Sequence, residues 1–349
     1  VAGSYHIGAA GCVTTAVDSG DPQTVYLVYQ GGHGDSTGNT GQTLRLAVST
    51  NGGQTFPVEY VLADSLNQIA TTICPDVISP AAGQVIVAAV NSMAGNETTS
   101  FWVSTFVSGN KGADIGPTGM EGQCVECPSS GATWLSPSDT NVGSAETLTD
   151  ILSDSGNAGP RLGTNGKGMV CMTFLYDGGN SPSTIEVQCS ANNGMTWTAP
   201  LSLGAYSAIN SGSVYPTVAV SPGGKVAVTW IGVDPTNSFN LVYIALSTNG
   251  GMSFGTPMKY TATEMDNPSN PVVAWETDDI LWLSQTLNGS APSISIDKTC
   301  DDGQTWSGAV MIQSPALQGT SLIKTSSGMV VGGENEQGPT LDVINLGGF

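Results

Sequence analysis

Five copies of one eight-residue pattern constrain this chain more than any other feature of its sequence. They are Ser49-Thr-Asn51-Gly-Gly53-Gln-Thr55-Phe56, Ser108-Gly-Asn110-Lys-Gly112-Ala-Asp-Ile115, Ser190-Ala-Asn192-Asn-Gly194-Met-Thr196-Trp197, Ser247-Thr-Asn249-Gly-Gly251-Met-Ser253-Phe254 and Thr299-Cys-Asp301-Asp-Gly303-Gln-Thr305-Trp306. The second copy keeps Ser108, Asn110 and Gly112 but lacks the hydroxyl and the ring. First positions lie 59, 82, 57 and 52 residues apart. Three spacings are near one period, and the long one implies an insertion of roughly 25 residues. Each position has a physical reason. Asn or Asp at the third place bonds nearby backbone N–H groups and holds a tight turn. Gly at the fifth adopts φ > 0 without a Cβ clash. The hydroxyl at the seventh bonds back across the loop, and the terminal ring buries a large surface between neighbouring strands.

Short β-branched runs bounded by Gly, Asn, Pro and Ser precede every copy. Examples are Thr24–Tyr29 and Thr43–Val48 before the first, and Lys225–Trp230 and Leu241–Leu246 before the fourth. No segment shows a sustained helical period. Three to four strands per unit, about six units and a period of about 50 to 60 predict an all-β, six-bladed β-propeller spanning residues 1–349 as one domain. The long spacing places an insertion at approximately 116–158, entering the third blade. The last unit is short of strands, and the segment around Ser4-Tyr-His-Ile7 is expected to complete it.

Composition narrows the functions. The 349 residues hold 8 Lys plus Arg against 28 Asp plus Glu, a formal net charge of −20. A chain this acidic does not hold nucleic acid through a basic surface. It has no run of about 18 apolar residues, so no membrane insertion through a helix is expected. Polarity comes from Ser, Thr, Asn and Gly rather than from dense charge, which predicts an extracellular or surface-exposed location. Of seven cysteines, Cys12 and Cys74 sit at similar places in successive units and are candidates for a bridge. Cys124 and Cys127 read as a loop-stapling disulfide, with a metal half-site as the alternative. No cofactor is required by any motif; calcium is the ion that the many oxygen donors suit.

The octet resembles the Asp-box, or BNR repeat, of sialidase-like β-propellers. That resemblance implies the fold and places the boxes on the face away from the family's active site. It does not imply the activity. The family's opening arginine is replaced by His6, and the chain has only Arg45 and Arg161, so a three-arginine carboxylate clamp is impossible. The last tyrosine is Tyr260, well before the final unit, so the late tyrosine nucleophile is missing. Asp35 is the residue matching the family's acid.

These absences lead to the expectation of a non-catalytic surface propeller, serving as a structural, assembly or adhesion module through self-association or contacts with other surface proteins or glycans. The alternatives are a divergent glycoside hydrolase using two carboxylates about 5 to 10 Å apart, or a glycan-binding module. Asp35, Glu276 and Glu334 are the leading carboxylates, with Asp76, Asp150 and Glu336 beside them. Trp230, Trp275 and Trp282 lie in strand runs and are expected in the core.

Overall fold

The computed structural model describes residues 13–34, 40–64, 75–92, 101–113, 140–143, 159–176, 184–205, 216–233, 239–260, 267–288, 293–313, 317–325, 328–335 and 338–345. They form 23 strands and no helix among the described residues, in six antiparallel sheets. The first sheet is β1 (Val13–Val17), β2 (Val25–Gly34), β3 (Thr40–Ser49) and β4 (Val58–Asp64). The second is β5 (Asp76–Ile78), β6 (Val85–Ser92), β7 (Phe101–Ser108) and β8 (Thr140–Gly143). The third is β9 (Arg161–Thr164), β10 (Val170–Tyr176), β11 (Thr184–Ser190) and β12 (Leu201–Ala205). The fourth is β13 (Thr217–Val220), β14 (Val226–Val233), β15 (Asn240–Ser247) and β16 (Met258–Tyr260). The fifth is β17 (Pro268–Trp275), β18 (Leu281–Leu287), β19 (Ser293–Thr299) and β20 (Val310–Gln313). The sixth has three strands, β21 (Leu317–Thr325), β22 (Gly328–Asn335) and β23 (Gly338–Asn345).

Each sheet is a meander, with its strands paired in chain order. The first strands of successive sheets are neighbours: β1 with β5, β5 with β9, β9 with β13, β13 with β17 and β17 with β21. Sheets arranged radially about their inner strands are the sialidase-like β-propeller fold. The core is correspondingly divided into seams. Tyr26, Val28, Leu44 and Leu46 pack on Val77, Val85, Val87 and Phe106 between the first and second sheets. Four further clusters fill the next four seams in the same way. Trp230, Trp275 and Trp282 belong to these clusters and are buried, as their strand positions predict.

One expectation is corrected. Residues 140–143, inside the stretch read as a third-blade insertion, form β8 and pair with β7. They complete the second sheet, because β7 would otherwise present an unpaired edge. The long spacing therefore falls within the last hairpin of the second sheet. Residues 114–139 and 144–158, and the N-terminal segment expected to complete the last unit, lie outside the described residues.

The boxes join the third strand to the fourth in each of the first five sheets. In all five, the first-position hydroxyl accepts the N–H of the fifth-position glycine at 2.8–3.0 Å. The side-chain oxygens of Asn51, Asn192, Asn249 and Asp301 accept the N–H of the seventh residue at 2.8–3.0 Å. Asn110 Oδ1 accepts the Ser108 hydroxyl at 3.2 Å, and the seventh residue of its box, Asp114, lies outside the described residues. The fifth-position glycines have φ between +76° and +88°. Four of them are also pressed against the preceding sheet. A Cβ on Gly112 would stand 2.9 Å from Leu46, on Gly194 2.6 Å from Ile86, on Gly251 2.2 Å from Cys189 Sγ and on Gly303 2.6 Å from Met258. The eighth-position rings fill the same seams: Trp197, Phe254 and Trp306 pack on the clusters there, and Trp306 meets Tyr260 edge-on at 5.0 Å. Phe56 is half-buried at the end of the first box. The box is thus a hairpin staple and a spacer between sheets.

Candidate functional site

The meander sorts the turns to two ends. The first-to-second and third-to-fourth turns of a sheet share one end, so the boxes stand beside the inner turns. The backbone N–H of the fourth box residue bonds an inner-turn carbonyl in the first three sheets: Gly52 to Gln23, Lys111 to Gly83 and Asn193 to Gly168. Buried Asp18 accepts from Gly83 N–H of the second sheet at 2.8 Å and from the Tyr26 hydroxyl at 2.7 Å. Lys111 reaches Asp21 at 2.9 Å, and Lys225 reaches Asp302 at 2.8 Å. This end is tied together by structural contacts.

At the opposite end the inner strands begin. The first residue of β5 is Asp76, and the first of β9 is Arg161. Asp76 is half-buried. Its Oδ1 accepts Val77 N–H at 2.9 Å, and its Oδ2 accepts Leu162 N–H at 2.8 Å from the next sheet. Two effects oppose each other at this carboxyl. Burial favours the neutral acid, while the Arg161 guanidinium and the two N–H donors favour the anion. Burial dominates, so the carboxyl is held above the ordinary carboxylate range. A carboxyl pushed up by burial is what a general acid needs. Glu186, in β11 of the third sheet, is half-buried and accepts the Thr184 hydroxyl at 2.9 Å. Burial pushes its carboxyl above the ordinary range too.

The carboxylates named from sequence are distributed between the two ends. Glu276 is in the β17–β18 turn at the box end, where Oε2 accepts Trp282 Nε1–H at 2.8 Å and the backbone carbonyl accepts Lys324. Glu334 is the penultimate residue of β22, at the axial-site end, paired in register with Gln318. Asp35, Asp150 and Glu336 lie outside the described residues, Asp35 in the connection from β2 to β3. Among the described residues no three His, Cys, Asp or Glu gather to hold a metal ion. No helix of the described residues is long and apolar enough to cross a membrane.

The proposed disulfide cysteines Cys12, Cys74, Cys124 and Cys127 lie outside the described residues. The bridge found among the described residues is instead Cys171–Cys189. These two are directly opposite in the β10–β11 ladder and buried in the third-to-fourth seam. Cys300 is free and exposed.

No family model matches the sequence, and no curated protein matches it. Solved structures do share the fold. The GH93 α-L-arabinofuranosidase of Fusarium graminearum, solved with arabinobiose, is 14% identical at a TM-score of 0.57, covering 96% of this chain and 92% of that one. The α-L-arabinanase of Penicillium chrysogenum, also with arabinobiose, is 14% identical at 0.56, covering 95% and 91%. A protein of unknown function from Dyadobacter fermentans is 12% identical at 0.51, covering 96% and 93%. These comparisons overturn the expectation of a non-catalytic surface module. The chain matches glycoside hydrolases over nearly its whole length, and the alternative reading is the one they favour.

Proposed function

We propose that this chain is a glycoside hydrolase whose site lies at the axial end opposite the boxes. One observation carries the reading. Asp76 stands at the start of an inner strand, accepts Leu162 N–H from the start of the next sheet at 2.8 Å, and has its carboxyl pushed up by burial. In the reaction, Asp76 donates its proton to the glycosidic oxygen as the bond to the anomeric carbon breaks. The leaving sugar departs as a neutral alcohol. A second carboxylate serves as nucleophile or activates the water that ends on the anomeric carbon. The six sheets act as six blades about one axis in this reading, with the opening at the inner-strand starts as the cleft. Binding a glycan there also assigns an extracellular setting, which the Cys171–Cys189 bridge supports.

The test is reducing-sugar release from a panel of plant and microbial polysaccharides, arabinan included. Wild type should cut at least one. Asp76→Asn, whose single amide oxygen can accept only one of the two N–H groups of Val77 and Leu162, should lose about 10² to 10⁴ in rate, with a melting profile measured alongside to show that the variant is folded. Full activity in Asp76→Asn would remove Asp76 from the reaction.

A further inference from the structure

Counting rungs from the box end puts five inner-strand residues at one height. Val25, Val85, Val170, Val226 and Leu281 each pair with the first residue of a box. Three residues further along those strands, the inner-strand partners are Thr14, Asp76, Arg161, Thr217 and Val272. The last four directly follow Pro75, Pro160, Pro216 and Pro271. Proline suits the start of an edge strand because it has no N–H to leave unpaired.

Three residues of this rung tie one sheet to the next. The Thr14 hydroxyl donates to the Pro75 carbonyl at 3.2 Å, and the Thr217 hydroxyl to the Pro271 carbonyl at 3.1 Å. Asp76 makes the tie in the other sense, accepting Leu162 N–H. Arg161 departs from the pattern. Its guanidinium donates to the carbonyl of its own neighbour, Pro160, at 3.4 Å, and among the described residues no carboxylate oxygen lies within 4.0 Å of it. Of the eight Lys and Arg, it alone begins an inner strand. It is half-buried, so an unpaired charge there is costly. Asp76 does little to cancel that charge, because burial favours its neutral form. Gly163, two residues on and so on the same face of β9, shows why the arm cannot lie back along the seam. A Cβ on Gly163 would stand 2.6 Å from the Val218 carbonyl oxygen of β13, so the two backbones leave no room for a side chain. The guanidinium is kept at the end opposite the boxes.

We propose that Arg161 anchors a glycan subsite that takes the carboxylate of an acidic sugar. The planar fork of a guanidinium meets a carboxylate with two parallel hydrogen bonds. A single fork serves a single carboxylate. A net charge of −20 repels a dense polyanion at long range, so the ligand that fits is a largely neutral chain carrying isolated uronic acid units. The subsite rests on the hydrolase reading for the reaction it serves, and on the comparison of rungs for its place.

The experiment uses the full chain with glucuronoxylan and rhamnogalacturonan oligosaccharides, each beside the same material with its carboxyl groups reduced to alcohols. Calorimetry measures binding, and reducing ends measure cleavage. Arg161→Thr installs the residue that the first and fourth sheets carry at this rung, so the fold is expected to persist. Arg161→Lys keeps the charge without the fork. Wild type should bind the acidic form of one pair at least about tenfold more tightly than the reduced form, as a charge-assisted hydrogen bond requires. Arg161→Thr should abolish that preference, and Arg161→Lys should keep part of it. Equal binding of the two forms, or no binding of either acidic form, overturns the proposal. So does a preference that survives in Arg161→Thr, since the carboxylate then sits elsewhere. The expected preference without cleavage would sink the hydrolase reading and sustain the subsite. Cleavage without the preference would do the reverse.

Discussion

Gly251 offers a sharp test of how the boxes hold neighbouring sheets apart. Its φ of +76° resembles the +83° of Gly53, which occupies the same place in the first box. Alanine at either site incurs the left-handed backbone cost of about 1 to 2 kcal/mol. The surroundings differ. A Cβ on Gly53 meets nothing closer than 3.8 Å, whereas one on Gly251 falls 2.2 Å from Cys189 Sγ and 3.1 Å from Cys189 Cβ. Overpacking a filled seam adds about 1 to 3 kcal/mol. Gly53→Ala is therefore expected to cost about 1 kcal/mol, near the lower end of the backbone cost. Gly251→Ala should cost about 2 to 5 kcal/mol, the backbone and packing costs together. Removing the bridge as Cys171→Ala/Cys189→Ala should cost about 3 kcal/mol through loop entropy for a separation of 18 residues. In that background the sulfur is gone, so Gly251→Ala should fall towards the Gly53→Ala cost, giving a coupling of about 1 to 3 kcal/mol. Urea titrations followed by tryptophan fluorescence measure all four variants and wild type. Equal costs at Gly53 and Gly251, or no coupling to the bridge, would mean that the fifth glycine answers only to the backbone.

Three further outcomes follow from other sites. The hydrogen bonds from Thr305 hold the Asp301 carboxyl down at about 2, against 3.8 ordinarily. A depressed carboxyl contributes stability that is present above pH 4 and lost as pH falls through about 2, so Asp301→Asn, the residue of the other boxes, should flatten that acid loss in a circular-dichroism titration. Trp306→Ala removes the ring that meets Tyr260 edge-on at 5.0 Å and should destabilise by about 3 kcal/mol in the same urea titrations. Arg161→Met withdraws the cation that favours ionised Asp76, so the carboxyl keeps its proton to higher pH and the alkaline limb of the activity profile should move up; an unmoved limb would detach Arg161 from Asp76.

Much of the architecture was legible because the box couples local chemistry to a period. Asn or Asp, Gly and the closing ring each act within eight residues, so the sequence displays them without tertiary information. The fourth position was harder. Gly52, Lys111, Asn193, Gly250 and Asp302 all have φ between +54° and +75°. Gly, Asn and Asp there are a signal for this conformation, but Lys111 hides it. The second-sheet placement of β8 depends on a distant edge that no local pattern reports. The disulfide was obscured for a related reason. Cys171 and Cys189 lie nine residues either side of position 180, the centre of the β10–β11 connection, and so pair in register. That symmetry is in the sequence, but only once the hairpin is centred. Asp76 was one carboxylate among many, because its burial and its contact with Leu162 arise between sheets. Arg161 stood out only as one of two arginines.

The most direct test of the central claim compares Asp76→Asn with wild type on one polysaccharide and on the corresponding 2,4-dinitrophenyl glycoside. A general acid matters when the leaving oxygen is a poor leaving group and is dispensable when it departs readily as an anion. The account predicts a loss of about 10² to 10⁴ on the polysaccharide and nearly none in the bond-breaking step on the activated glycoside. An equal loss on both substrates would assign Asp76 to bridging β5 and β9 rather than to proton transfer, and would contradict the account.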